Sequence, residues 1–121
     1  MWIQHPELGA FSIVLADDLN TGQPDKNRMM VRARLREHLI LLRERHASMQ
    51  SAEIVEGPST LDYRFRLIVA KDDLAAALFD IVQDLNYRNV KARAATHKDE
   101  VGLPFVDALH RIWSTLKSLQ G

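Results

Sequence analysis

Residues 62–86 change hydrophobic period once, from two to 3.6, and that switch constrains the fold more than any other feature of the chain. Over Asp62–Ala70 apolar and basic residues alternate: Tyr63, Phe65, Leu67 and Val69 on one side, Arg64 and Arg66 on the other. This is the pattern of a half-buried strand with a core face and a wet face. From Leu74 onward, Ala77, Leu78, Ile81, Val82 and Leu85 recur at three- and four-residue steps, one stripe of an amphipathic helix. A strand and a helix in immediate succession can bury these faces against each other, and the rest of the chain is expected to assemble around them.

The flanking segments extend the theme. Phe11–Ala16 alternates as a strand, and Asp17–Asn27, rich in Asp, Asn, Gly and Pro, reads as a long hairpin loop. Arg28–Leu35 is a second strand, with Met29, Val31, Ala33 and Leu35 opposite Met30, Arg32 and Arg34. A helix follows with Leu35, Leu39, Leu42, His46 and Met49 as its inner stripe, although no residue there is a good N-cap. Ala52–Glu56 reads as a short third strand and Gly57–Thr60 as a turn. Asp72 and Asp73 suit the positive end of the helix beginning near Lys71. A short helix is expected from Tyr87, then a polar break over Thr96–Gly102. Pro104 opens a last helix whose buried stripe is Phe105, Leu109, Ile112, Trp113 and Leu116.

The order is ββαββα with a helical tail. The expected fold is therefore α+β: a four-stranded, mainly antiparallel sheet with helices on one face and a C-terminal helical tail. A single domain over residues 1–121 is expected, with 1–86 as the ββαββα core and 87–121 as the tail. Val31-Arg-Ala-Arg34 and Tyr63-Arg-Phe-Arg66 lie 32 residues apart at the same place in each half, a faint internal echo.

A chain of 121 residues buries roughly two-thirds of its unfolded surface and needs no staple. With no cysteine, a disulfide framework and a thiolate zinc site are both excluded. Sixteen basic and sixteen acidic residues balance, which withholds the electrostatic footprint of a general nucleic-acid binder. No segment reads as a signal peptide or a bilayer span, so a cytoplasmic location without membrane contact is expected.

Charge must then act locally, and one arrangement does so. If the apolar sets face the helices, Arg32, Arg34, Arg64 and Arg66 project from the opposite sheet face. Guanidiniums bind carboxylate and phosphate through a planar fork and stack on bases. The bland alternative is pairing with Glu53, Glu56 and other surface acids, which like charges across adjacent strands require. Aromatic interleaving, which single-stranded nucleic acid favours, is missing from this face, because Tyr63 and Phe65 fall on the core side. The helical tail covering the face is a further alternative, which would make the arginines buried partners of Asp62, Asp80 or Asp84.

Other candidates are weaker. His5, His38, His46, His97 and His110 lack metal-ligand spacing, with His46 on a helix's inner stripe. Asp17-Asp18 and Asp72-Asp73 have turn and helix-start explanations. Ser12, Ser59 and Ser114 lack a nucleophile elbow, and Gly22, Gly57 and Gly102 are isolated, so no phosphate-cradling loop exists. No cofactor is implied. Tyr87, Asn89 and Lys91 follow a helix end and either line a groove or belong to a capping turn. Trp113 reads as core, while Trp2 is a core, partner or edge contact.

Met1-Trp2, Phe11-Ser-Ile-Val14, Val31-Arg-Ala-Arg34, Asp62-Tyr-Arg-Phe-Arg66, Asn86-Tyr-Arg-Asn-Val-Lys91 and Trp113 together resemble a group of small bacterial and prophage proteins of unknown role. The likeness covers most of the chain in order. It departs at Ala10, where that pattern has Gly, at Asn86 for Asp, and at Val90 for Phe. The resemblance implies a compact cytosolic α+β protein and brings no activity with it.

Three functions are compatible with these features. The first is a non-enzymatic binding or protein-interaction module, with a protein partner or self-association as a homodimer. The second is a nucleic-acid or nucleotide binder acting through the arginines, or relatedly a mobile-element protein blocking a host nuclease or defence factor. The third is a small enzyme, which requires a deep pocket with convergent polar groups. The expected binding residues are Arg32, Arg34, Arg64, Arg66, Tyr87 and Lys91.

Overall fold

In the computed structural model, which describes residues 1–121, five strands form one open antiparallel sheet in the order β1-β2-β3-β5-β4. The strands are β1 (Trp2–His5), β2 (Gly9–Asp17), β3 (Pro24–Ala33), β4 (Val55–Glu56) and β5 (Phe65–Ala70). Five helices accompany them: α1 (Arg36–Arg45), α2 (Lys71–Gln83), α3 (Val90–Thr96), α4 (Lys98–Val101) and α5 (Leu103–Lys117). The α+β class and the antiparallel sheet are as expected, but the strand count is five and the order βββαββ precedes α2. No helix is long and apolar enough to cross a membrane.

The additional strand is β1. It pairs with β2 from Trp2↔Ser12 to His5↔Gly9, and its connection is only Pro6–Leu8. His5 closes that turn, its Nδ1 accepting the backbone N–H of Glu7 (3.1 Å) and Leu8 (3.2 Å). Gly9 sits at φ +110°, and an added Cβ would fall 2.1 Å from the His38 ring, so only glycine fits here. The expected long hairpin loop shrinks to residues 18–23, because β2 and β3 continue past a bulge at Leu15/Ala16. Asp18 Oδ1 ties the loop by accepting from Asn20 N–H and Thr21 N–H. The expected third strand survives only as Val55–Glu56, while Ala52 and Ile54 are buried without strand pairing.

The pivot strand and helix form as the period switch requires. β5 runs into α2 with no intervening residue. Phe65, Leu67 and Val69 pack with Leu74 and Ala77 in a core shared with Phe11, Ile13, Val31, Ala33, Leu39, Leu42 and Met49. α1 has no side-chain cap, as the sequence implied, and α2 has none either, so their stability comes from packing. α2 ends at Gln83, before Leu85, which is exposed.

A second, smaller core joins Ala94, Val101, Phe105, Val106 and Leu109. It docks on the body through Leu41 and Ala10 and through His38. His38 is buried, its Nδ1 accepting Ala10 N–H at 3.2 Å and its Nε2 donating to the Val101 carbonyl at 2.9 Å. With both ring nitrogens committed, this histidine is a structural tie. The final helix buries Phe105 and Leu109 as expected, but Ile112, Trp113 and Leu116 are exposed.

Candidate functional site

Register fixes the composition of the uncovered sheet face. Trp2 is opposite Ser12, Ser12 opposite Arg32, Arg32 opposite Arg66, and Arg66 opposite Val55. Register partners share a face, so these five residues form one row across all five strands. Val14, Met30 and Ile68 form the adjoining row. α5 packs on α3 and α4 and reaches this face only at its edge, where Ala10 meets the Phe105–Leu109 cluster and Gln4 lies beside Leu109 and Ile112. Trp2, Val14, Val55 and Ile68 stay exposed, while Ser12 is buried.

The four arginines fall into two pairs with different environments. Arg34 makes an exposed ion pair with Asp62 at 2.9 Å, and Arg64 pairs with Glu56. These two follow the bland expectation of neutralisation by surface acids. Asp80 and Asp84 are not arginine partners on this face; Asp80 instead stands 3.8 Å from His46. Arg32 and Arg66, side by side across the ladder, have no carboxylate within 4.0 Å. Arg32 donates from Nη2 to Ser12 Oγ at 2.7 Å, and its Nε is buried without a partner. Arg66 donates from Nη2 to the Tyr63 carbonyl at 3.3 Å.

Tyr63 corrects the expected face assignment. It precedes the first residue of β5, so the strand's alternation does not govern it. Its ring lies with the cations, 4.7 Å from Arg32 Cζ and 4.1 Å from Arg34 Cζ. The face therefore carries an aromatic between two guanidiniums, an arrangement stabilised by the ring quadrupole, where the sequence suggested none. Phe65, two residues on, keeps its core side.

Tyr87 and Lys91 do not join this face, nor each other. Lys91 stacks on Trp113, Nζ 3.8 Å from the ring centroid. Asn89 between them caps α3, its Oδ1 accepting Ala92 N–H. Tyr87 lines a separate cleft of about 200 Å³ between the β1–β2 turn, the C-terminal ends of α1 and α2, and the start of α3. His5, Glu7, Arg45, His46 and Arg93 share that cleft. Glu7 is its electrostatic centre: Oε1 accepts from Arg45 at 2.9 Å and Oε2 from Arg93 at 3.0 Å, with His97 Nε2 3.5 Å away. Burial works against the Glu7 charge, but these cations outweigh it and hold its pKa below the ordinary carboxylate value.

The histidines of the cleft are neutral for a physical reason. Burial lowers the His5 pKa from 6.5 to about 4; the Glu7 charge opposes this, and Arg45 and the other imidazoles add to it. His46 is also lowered, chiefly by burial, and its Nε2 has no partner. Tyr87 is raised by burial and by Glu7. Nothing in the spacing of residues 5, 7, 45, 46, 87 and 93 signals this convergence; only the chain's turn at Pro6–Leu8 creates it. No group of three or more side chains is placed to hold a metal ion. Comparison with protein-family models, with curated proteins and with solved structures finds no match to this chain.

Proposed function

We propose that the protein is a non-enzymatic binding module of the cytoplasm whose uncovered sheet face docks an acidic segment of a protein partner. The supporting observation is the adjacent pair Arg32 and Arg66, both lacking a carboxylate, with Tyr63 stacked beside them. Two neighbouring cations on a neutral protein cost stability unless something neutralises them, and a partner's carboxylates do so in bidentate fashion. The surrounding residues suit a protein better than a phosphate backbone. Trp2, Val14, Val55 and Ile68 are exposed on the same face, and an Arg–aromatic centre with an apolar surround is the composition of an interaction hot spot. A homodimer through the same face is disfavoured by this reading, since it sets arginines against arginines. A host factor with an acidic surface is one partner of the right chemistry.

Single-stranded nucleic acid is the second reading, favoured by the stacked Tyr63 alone. Fluorescence anisotropy with labelled oligoglutamate and with labelled oligothymidylate, each at low and moderate salt, separates the two. The expected result is salt-sensitive binding of the peptide that is lost in the Arg32→Ala/Arg66→Ala double variant and kept in Arg64→Ala. Tighter binding of the oligonucleotide transfers the face to the second reading. Absence of binding to either probe at low salt refutes both.

A further inference from the structure

The cleft lined by Tyr87 is remote from the arginine row and has its own chemistry. Its polar groups are divided by sign. Arg45 and Arg93 exceed the single charge of Glu7, to which both are bound. His5 stands with them. Its Nδ1 is taken by two backbone N–H groups, so the neutral ring carries its proton on Nε2, a donor with no acceptor in the protein. The Tyr87 hydroxyl is likewise uncommitted; the ring packs edge-on to His5 and under Arg93. Asp84, just past the end of α2, also lines the cleft; it is exposed and has no cation within 4.0 Å. Leu8, Ile81 and Leu85 supply apolar lining.

Uncommitted donors with surplus positive charge, an unpaired carboxylate and hydrocarbon in one cleft describe the complement of a zwitterion. We propose that this cleft binds a small α-amino acid with a short apolar side chain. Its carboxylate accepts from His5 Nε2–H and the Tyr87 hydroxyl beside Arg93, and its ammonium pairs with Asp84. A volume near 200 Å³ holds the space of about six or seven waters, enough for a molecule the size of valine. A simple anion leaves Asp84 unanswered, and a simple amine leaves the donors unanswered. Recognition of both ends is what distinguishes an amino acid from either.

The test uses the full chain and three probes of one shape: L-valine, isovalerate, which lacks the ammonium, and isobutylamine, which lacks the carboxylate. Two-dimensional 1H–15N NMR titration of each, to about 50 mM, reads both affinity and location. The expected result is saturable shifts for valine at Leu8, Leu85 and Tyr87, with each analogue binding about tenfold weaker or less. Asp84→Asn weakens valine and leaves isovalerate unchanged, while Tyr87→Phe weakens valine and isovalerate together. The proposal is overturned if valine gives no saturable shift at these residues, or if either analogue binds as tightly as valine. An unchanged valine affinity in Asp84→Asn overturns it as well. The analogue series runs on the unaltered chain, so its result does not depend on the variants folding. Neither outcome bears on the arginine face, which has its own probes.

Discussion

Acid should weaken this fold well before its carboxylates titrate, and His5 supplies a large share of the effect. In the folded chain its pKa lies at about 4, while an unfolded histidine titrates at 6.5. Between those values the unfolded state binds the proton and the folded state refuses it. The neutral-pH stability is therefore complete above 6.5, falls as pH drops through the window, and levels off below about 4. At about pH 5 the loss from His5 alone is about 2 kcal/mol, and its ceiling is about 3 kcal/mol. Against a total of about 5–15 kcal/mol for a domain, this is a large fraction. His38 and His46, also lowered by burial, act in the same direction. The variant that isolates His5 is His5→Asn. The Asn Oδ1 can accept the Glu7 and Leu8 N–H bonds that Nδ1 accepts now, but it does not titrate. Urea unfolding at pH 7 and about pH 5 gives the assay, and the quantity compared is the difference between the two pH values in each protein. His5→Asn should lose about 2 kcal/mol less than the unaltered chain. Equal losses in the two proteins would refute the claim that a buried, neutral His5 sets this sensitivity.

Three further outcomes follow from the geometry. Arg66→Gln should raise stability by about 0.5 kcal/mol in chemical denaturation, because it relieves two like charges facing each other across β3 and β5; a loss above about 1 kcal/mol would mean that Arg66 is a net structural contributor. Gly9→Ala should cost about 3 kcal/mol or more, through its positive φ and the His38 ring within 2.1 Å of the new methyl, and a thermal melt reads this as a lowered Tm. Trp113→Ala should cost about 1–2 kcal/mol and not the larger sum of a core tryptophan, since the indole is exposed and stacked by Lys91 and Lys117; ready acrylamide quenching in a Trp2→Phe background, where Trp113 is the remaining indole, checks the same point.

The parts of the fold that were legible are those where one periodicity runs long enough to be counted. Residues 65–70 and 74–81 alternate and then repeat as a strand and helix should, and Arg32 and Arg66 reach the same face because strand parity fixes them. Tyr63 escaped because parity stops where the strand stops: residues 61–63 belong to a bend, and the ring swings to the arginines. β1 escaped for a related reason. Four residues are too few to show a period, and in them the tryptophan is exposed while the histidine is buried, the reverse of what hydropathy suggests. Ala52 and Ile54 gave a strand-like signal because irregular chain can also bury alternate residues. The cleft was illegible altogether. Its members come from several separate segments, and no local pattern encodes the closure of the β1–β2 turn over the ends of α1 and α2.

The His38 bridge spans 63 positions of sequence, from α1 to the Val101 carbonyl. During synthesis the sheet's first three strands and α1 leave the ribosome long before Val101 does, and chains generally acquire structure from the N-terminal side as they emerge. Until then the imidazole has one partner instead of two, and the ground on which Phe105 later rests, at Leu41 and Ala10, is bare hydrocarbon. A nascent or truncated chain ending near residue 86 thus presents a sticky seam and a His38 ring opened to water on its Val101 side. Proteolytic trimming or ribosome stalling in that interval would release a species prone to aggregate, even though its main core is already encoded.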